Sequence, residues 1–192
     1  MCAEGGFFMH KSNNVWGISN LSNLKIMLTV ALFSTISFVF GKFLAIPVGD
    51  YMRFSFENLP IILGGVFFGP VSGCLCGIIA DIVGCILRGY VINPVLTLGA
   101  AAIGFFSGFI FNVFKNVRLS IRITLSVIIS HIIGSVIIKS IGLSVWYDMP
   151  FLLTFGMRTV NYIVVGVAEL ILTYILVKNK GFINQINRIK RR

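Results

Sequence analysis

Three ionisable residues sit inside otherwise apolar runs of this chain: Asp81, Arg158 and Glu169. A charged side chain at the centre of a membrane helix costs about 2.5–3.5 kcal/mol on insertion scales, so such residues mark a site or a pair. Arg158 and Glu169 lie eleven residues apart. On one helix they share a face but stand roughly 16 Å apart along its axis, too far to pair. Asp81 and Arg158 fall at similar depth and are expected to pair, to meet a ligand, or both. Glu169 is expected to be structural or interfacial. Asn161 and Tyr162 follow Arg158 by three and four residues and so share its face. Such a face suits a polar aromatic ligand or interhelical hydrogen bonds.

Other chemistry finds no support. There is no H-E-x-x-H, no G-x-S-x-G and no Walker A loop. Asp81 and Glu169 belong to different predicted helices at different depths, so they do not read as a catalytic acid pair. His131 stands among apolar neighbours and reads as a packing residue. Cys2, Cys74, Cys76 and Cys85 lack the spacing of a zinc site. No enzyme, metal or cofactor is expected, and any ATP must be hydrolysed by another subunit.

The elements that position these residues follow from hydropathy. Of 192 residues, 57% are hydrophobic and only 11% are charged, against about 25% in soluble domains. The chain reads as an all-α membrane protein, a bundle of six transmembrane helices spanning residues 24–178. A cytoplasmic segment, 1–23, precedes it and a basic cytoplasmic tail, 179–192, follows. No signal peptide is predicted. Helix 1 covers Ile26–Gly41, with Lys25 and Lys42 snorkelling at its ends. Residues 44–56 read as a long ordered loop. Gly69-Pro70 separates helix 2 (from Asn58) from helix 3, because proline suits a first helical turn. Helix 3 ends near Leu87. Helix 4 covers about Val95–Phe114, helix 5 Ile123–Ile138 and helix 6 Phe151–Val177. A loop of about Lys139–Pro150 separates the last two. Small residues form stripes on helix 3 (Gly73, Gly77, Ala80, Gly84) and helix 4 (Ala100, Gly104, Gly108), which predicts close backbone approach. Ala31 and Thr35 form a small-xxx-small pair on helix 1, a face fit to dock another membrane subunit.

Charge sets the orientation. With both termini on one side, that side carries Lys11, Lys25, Lys115, Arg118, Arg122, Lys178, Lys180, Arg188, Lys190, Arg191 and Arg192; the other carries Lys42, Arg53, Arg88 and Lys139. The positive-inside rule makes the termini cytoplasmic. The three longer loops then converge outside, as they would around a site opening outward. The net charge of +10 is expected to face phospholipid headgroups rather than nucleic acid, since no nucleic-acid motif accompanies it.

Residues 52–84, MRFSFENLPIILGGVFFGPVSGCLCGIIADIVG, resemble the folate-specific S components of energy-coupling factor (ECF) vitamin transporters. The likeness rests on the aromatic stretch before Leu59-Pro60-Ile61, then Phe68-Gly69-Pro70, Gly73, Gly77, Ala80-Asp81 and Gly84. The stretch from Trp146 through helix 6 is similar too, with Arg158 in the matching place. Two positions depart: Glu57-Asn58 stands where the family commonly has Gly-Phe, and Thr35 where it has a second alanine. The resemblance implies a six-helix protein that binds a vitamin from outside and docks through helix 1 on a transmembrane coupling subunit, which carries two ATPases. For a folate, Asp81 would accept from the pterin's donor edge. Phe54, Phe56, Trp146 and Tyr162 would stack on it, with Tyr147 and Asn161 beside them, and Arg53, Arg88 and Arg158 would take the glutamyl carboxylates. Other vitamins served by the same fold (riboflavin, pantothenate, thiamine precursors) are the near alternative. A stand-alone secondary transporter is the more distant one, and no internal repeat supports it.

Overall fold

The computed structural model describes residues 22–48 and 52–190. Helix starts follow local chemistry. Asn23 caps α1 (Leu24–Phe43), its side chain accepting from the Lys25 N–H at 3.0 Å. Two three-residue strands, β1 (Ile46–Val48) and β2 (Met52–Phe54), then pair antiparallel. The predicted loop at 44–56 is thus partly a short hairpin. Its Pro47 is tolerated because a two-stranded ribbon has only edge strands.

The turn between α2 (Asn58–Phe68) and α3 (Pro70–Arg88) is a single residue, Gly69, at φ 97°, which favours glycine. Pro70 opens α3 as predicted. Asn93 caps α4 (Pro94–Val113) by accepting from the Val95 and Leu96 N–H groups.

Helix α5 runs unbroken from Leu119 to Tyr147, longer at both ends than the sequence predicts. Its middle, His131–Ile138, is π-helical: the Lys139 N–H donates to the Gly134 carbonyl five residues back. The expected loop from Lys139 therefore shrinks to Asp148–Pro150. Charge at Lys139 reads as a span end, but this lysine is buried within the bundle, so the helix continues. Arg122, expected in the basic connection, instead lies inside α5. It donates to the Phe111 carbonyl at 2.7 and 3.2 Å and so satisfies the end of α4.

Helix α6 covers Phe151–Lys178. The basic tail is not loose: Lys180–Lys190 forms α7. Its Ile186 is buried, and Phe182 meets Phe67 edge-on at 5.5 Å. Lys180 and Arg188 stay exposed.

Of the six transmembrane helices expected, each predicted segment is helical, but not all have spanning length. Five are long and apolar enough to cross a bilayer. The sixth, α2, has 11 residues, every one buried among α1, α3 and α4. Ile62, Val66, Phe68, Ile103 and Phe111 fill the core around it. The glycine stripes act as expected. Gly73 and Gly104 face each other backbone to backbone, and a Cβ on either would overlap the other's carbonyl.

Burial lowers the Lys190 amine from 10.5 to about 8, even though it lies over the Phe68 ring at 5.8 Å. A lowered folded-state pKa means that the folded form sheds its proton first. Docking of α7 should therefore tighten as pH rises through 8 towards 10.5. Hydrogen exchange of the Lys180–Lys190 amides at two pH values, corrected for intrinsic rates, should show higher protection at the more alkaline one. Lys190→Met should remove the dependence.

Candidate functional site

At the end of the bundle that carries the hairpin, six helices converge on a cavity of about 210 Å³. Helix α1 brings Ser37 and Phe38, and the first turns of α2 bring Glu57, Asn58 and Ile61. Helix α3 brings Ala80, Asp81, Cys85 and Arg88, and Tyr90 follows it. Leu96 and Ala100 come from α4, Lys139 from α5 and Arg158 from α6. Two carboxylates thus face three cations, one positive charge in excess. The α7 helix lies at the opposite end, against the start of α1 and the end of α6.

The arrangement differs from the simplest expectation. Asp81 and Arg158 line the same cavity but form no ion pair with each other. Asp81 accepts from the Thr97 hydroxyl at 2.7 Å, which ties α3 to α4. Arg158 donates to the Ser135 carbonyl at 3.2 Å, and its Nε has no partner among the described residues. Each keeps capacity for a ligand, since a carboxylate has about four acceptor sites and a guanidinium five donors.

A second charged group, Glu57 with Lys139, leaves no local sign in the sequence. The two ends stand 3.9 Å apart, a long ion pair, with the lysine side chain 9% exposed. The Lys139 stem crosses Gly99, where a Cβ would lie 2.5 Å from its Cγ. Arg88 joins them: a Cβ on Gly41 would lie 2.6 Å from a Glu57 carboxylate oxygen and 2.7 Å from an Arg88 terminal nitrogen. Gly41→Ala should therefore push both side-chain ends aside without breaking the helix. The expected result is a ligand affinity lowered by about tenfold, on the order of 1.4 kcal/mol, with an unchanged helical circular dichroism spectrum.

The remaining expected site residues scatter. Arg53 lies on β2, opposite Pro47, and its side chain is outside the described residues. Phe54 and Phe56 are half-buried near the hairpin, and neither lines the cavity. Trp146 and Tyr147 are about half exposed at the end of α5. Asn161 and Tyr162 lie further along α6. Tyr162 stacks on His131, with ring centroids 5.1 Å apart.

His131 is not alone, contrary to expectation. Its Nε2 stands 2.6 Å from a Glu169 carboxylate oxygen, with both residues buried. The contact lacks the alignment of a hydrogen bond. Ser135 lies 3.3 Å from Nδ1. Through its contact with His131, Glu169 joins α6 to α5.

A family model of the ECF transporter substrate-specific component matches residues 25–177. The chain belongs to that family. A solved structure of FolT bound with folic acid superposes on 79% of this chain and 91% of its own, with TM-score 0.65 and 24% identity. The S component of a bacterial ECF transporter covers 88% of this chain and 98% of its own, with TM-score 0.58 and 22% identity. At that identity the likeness establishes the shared fold. The uncharacterized protein MG313 homolog of Mycoplasma pneumoniae is 31% identical over 93 residues. That match takes in 48% of this chain and 32% of the relative, so the chain spans about a third of that protein's length. That family is the substrate-specific component of a transporter, and the five helices long and apolar enough to cross a bilayer suit a multi-pass membrane protein.

Proposed function

We propose that this protein is a folate-binding S component. It takes folate from outside the cell and delivers it across the cell membrane, with a transmembrane coupling subunit and two ATPases. The observation that carries the reading is the cavity, where an acceptor-only carboxylate, Asp81, faces Arg88, Lys139 and Arg158. A pterin offers adjacent ring donors to the carboxylate, and a glutamyl tail offers two anions to the cations. Phe38 and Tyr90, on the cavity wall, add ring faces for stacking. The likeness to a structure that holds folic acid supports the same choice.

At about 210 Å³ the cavity is smaller than the roughly 300–1,000 Å³ of sites that enclose drug-sized ligands. It suits one ring system, with the tail reaching towards the loops. Arg53, Phe54, Phe56, Trp146 and Tyr147 at that end would close over the tail, and Asn161 and Tyr162 would support Arg158 from α6. The positive-inside bias supports an orientation with this end outside and both termini in the cytoplasm. Ala31 and Thr35 are exposed on α1, where they are open to the coupling subunit.

Tryptophan emission of the purified chain, titrated with folic acid and separately with riboflavin, tests the ligand. Saturable quenching by folic acid alone is expected. Saturation by riboflavin alone would replace folate with a flavin.

A further inference from the structure

Asn58 is 1% exposed, and neither its amide oxygen nor its amide nitrogen has a hydrogen-bond partner among the described residues. Buried side-chain polar groups are overwhelmingly paired, so an orphan amide needs a reason. Its position supplies one: Asn58 lines the cavity that holds Asp81 and Arg158. Its backbone is fixed there, in the first turn of α2, with the Ser37 hydroxyl donating to the adjoining Glu57 carbonyl at 2.5 Å. A leucine would fill this place without leaving polar atoms unpaired. The chain instead keeps an amide in the wall of the cavity that also holds Asp81.

Resting on the folate reading, we infer that Asn58 is a specificity-determining residue that reads the oxo or amino group of the ligand's heterocycle. A carboxylate can only accept, so Asp81 selects ring edges that carry donors. A carboxamide carries both an acceptor and an NH₂ donor and can turn over to present either. In the same cavity as Asp81 it would donate to a ring carbonyl, or turn over to accept from a ring amine. A 4-oxo pterin offers Asp81 two donors, its N3–H and its 2-amino group, and leaves the 4-oxo group for the amide; a 4-amino ring has no N3–H, so Asp81 disfavours it whichever way Asn58 turns. The residue acts through its amide alone, so isosteric changes separate recognition from packing.

The experiment uses the full chain, with folic acid and its 4-amino analogue as probes, read by tryptophan quenching and by ligand-induced shift of the melting temperature. Wild type should bind folic acid at least about tenfold more tightly than the 4-amino analogue, which has no N3–H for Asp81. Asn58→Leu should melt no lower than wild type when empty, yet bind both probes at least about tenfold more weakly. Asn58→Asp, which can only accept when ionised, should weaken the 4-oxo probe more than the 4-amino one and so narrow the wild-type preference. Wild-type affinity for both probes in Asn58→Leu would overturn the inference and leave the folate reading intact. So would a lower melting temperature with ligand shifts unchanged, which marks a packing role. If wild type binds neither probe, both readings fail. Should Asn58→Asp not fold, the leucine variant decides.

Discussion

Asp81→Ala should bind folic acid at least about a hundredfold more weakly than wild type. Hydrogen bonds to a charged partner contribute about 1.5–3 kcal/mol each, and a pterin edge offers two donors to one carboxylate. Removing both contacts exceeds two decades in Kd, at 1.4 kcal/mol per decade. Asp81 also accepts from Thr97, so the variant loses a tie between α3 and α4 as well. Thr97→Val separates the two effects, because it cuts the tie and leaves the carboxylate. Isothermal titration of both variants should show a large loss for Asp81→Ala and under about tenfold for Thr97→Val. Equal losses would make Asp81 a structural residue that merely lines the cavity.

Gly104→Leu should abolish accumulation of folded protein. A Cβ at this position falls on the Gly73 carbonyl, the Gly73 amide plane and the Cys74 nitrogen, all backbone atoms that cannot rotate away. Helices in a bilayer gain nothing from hydrophobic transfer between them, so close packing is what holds α3 against α4. Overpacked cores lose about 1–3 kcal/mol where side chains can adjust, and here they cannot. Gly156→Ala is the control, since a Cβ there meets no atom within 4 Å. Detergent-solubilised yield and size-exclusion profile should separate them, with normal yield for Gly156→Ala and aggregate for Gly104→Leu. A monodisperse Gly104→Leu would mean that α3 and α4 tolerate separation.

Much of this architecture was legible because apolar runs, glycine stripes and caps are local. Gly69-Pro70 announces the α2–α3 turn, and the stripes at Gly73 and Gly104 pack where spacing alone put them. Asp81 and Arg158 were visible as charges in apolar runs, and both reach the cavity. Arg88 reaches it too, from the last turn of α3.

What was not legible depends on distant partners. Lys139 looked like the end of a span, because hydropathy sees a charge but not the helix that covers it. Glu57 and Lys139 meet across 82 positions of sequence, and His131 and Glu169 across 38, too far for any periodic pattern to join. Asn58 gave a faint signal, as a polar residue opening a run in which the next ten residues are all buried. The departure from Gly-Phe at Glu57-Asn58 falls on the cavity wall, where a change of residue alters what the cavity can hold.

The π-helical stretch at His131–Ile138 makes the length of α5 itself a tuning device. A π turn is an α-helix carrying a surplus residue, and losing that residue would rotate everything beyond it by about 100°. Before the stretch, α5 keeps its phase through Ser126 and Ser130; beyond it, phase decides whether Lys139 meets the cavity or the lipid. A one-codon deletion would thus remove a cation from the cavity while leaving the lysine in the sequence. In such proteins, counting matched residues in an alignment would report a conserved charge where the molecule no longer has one in place.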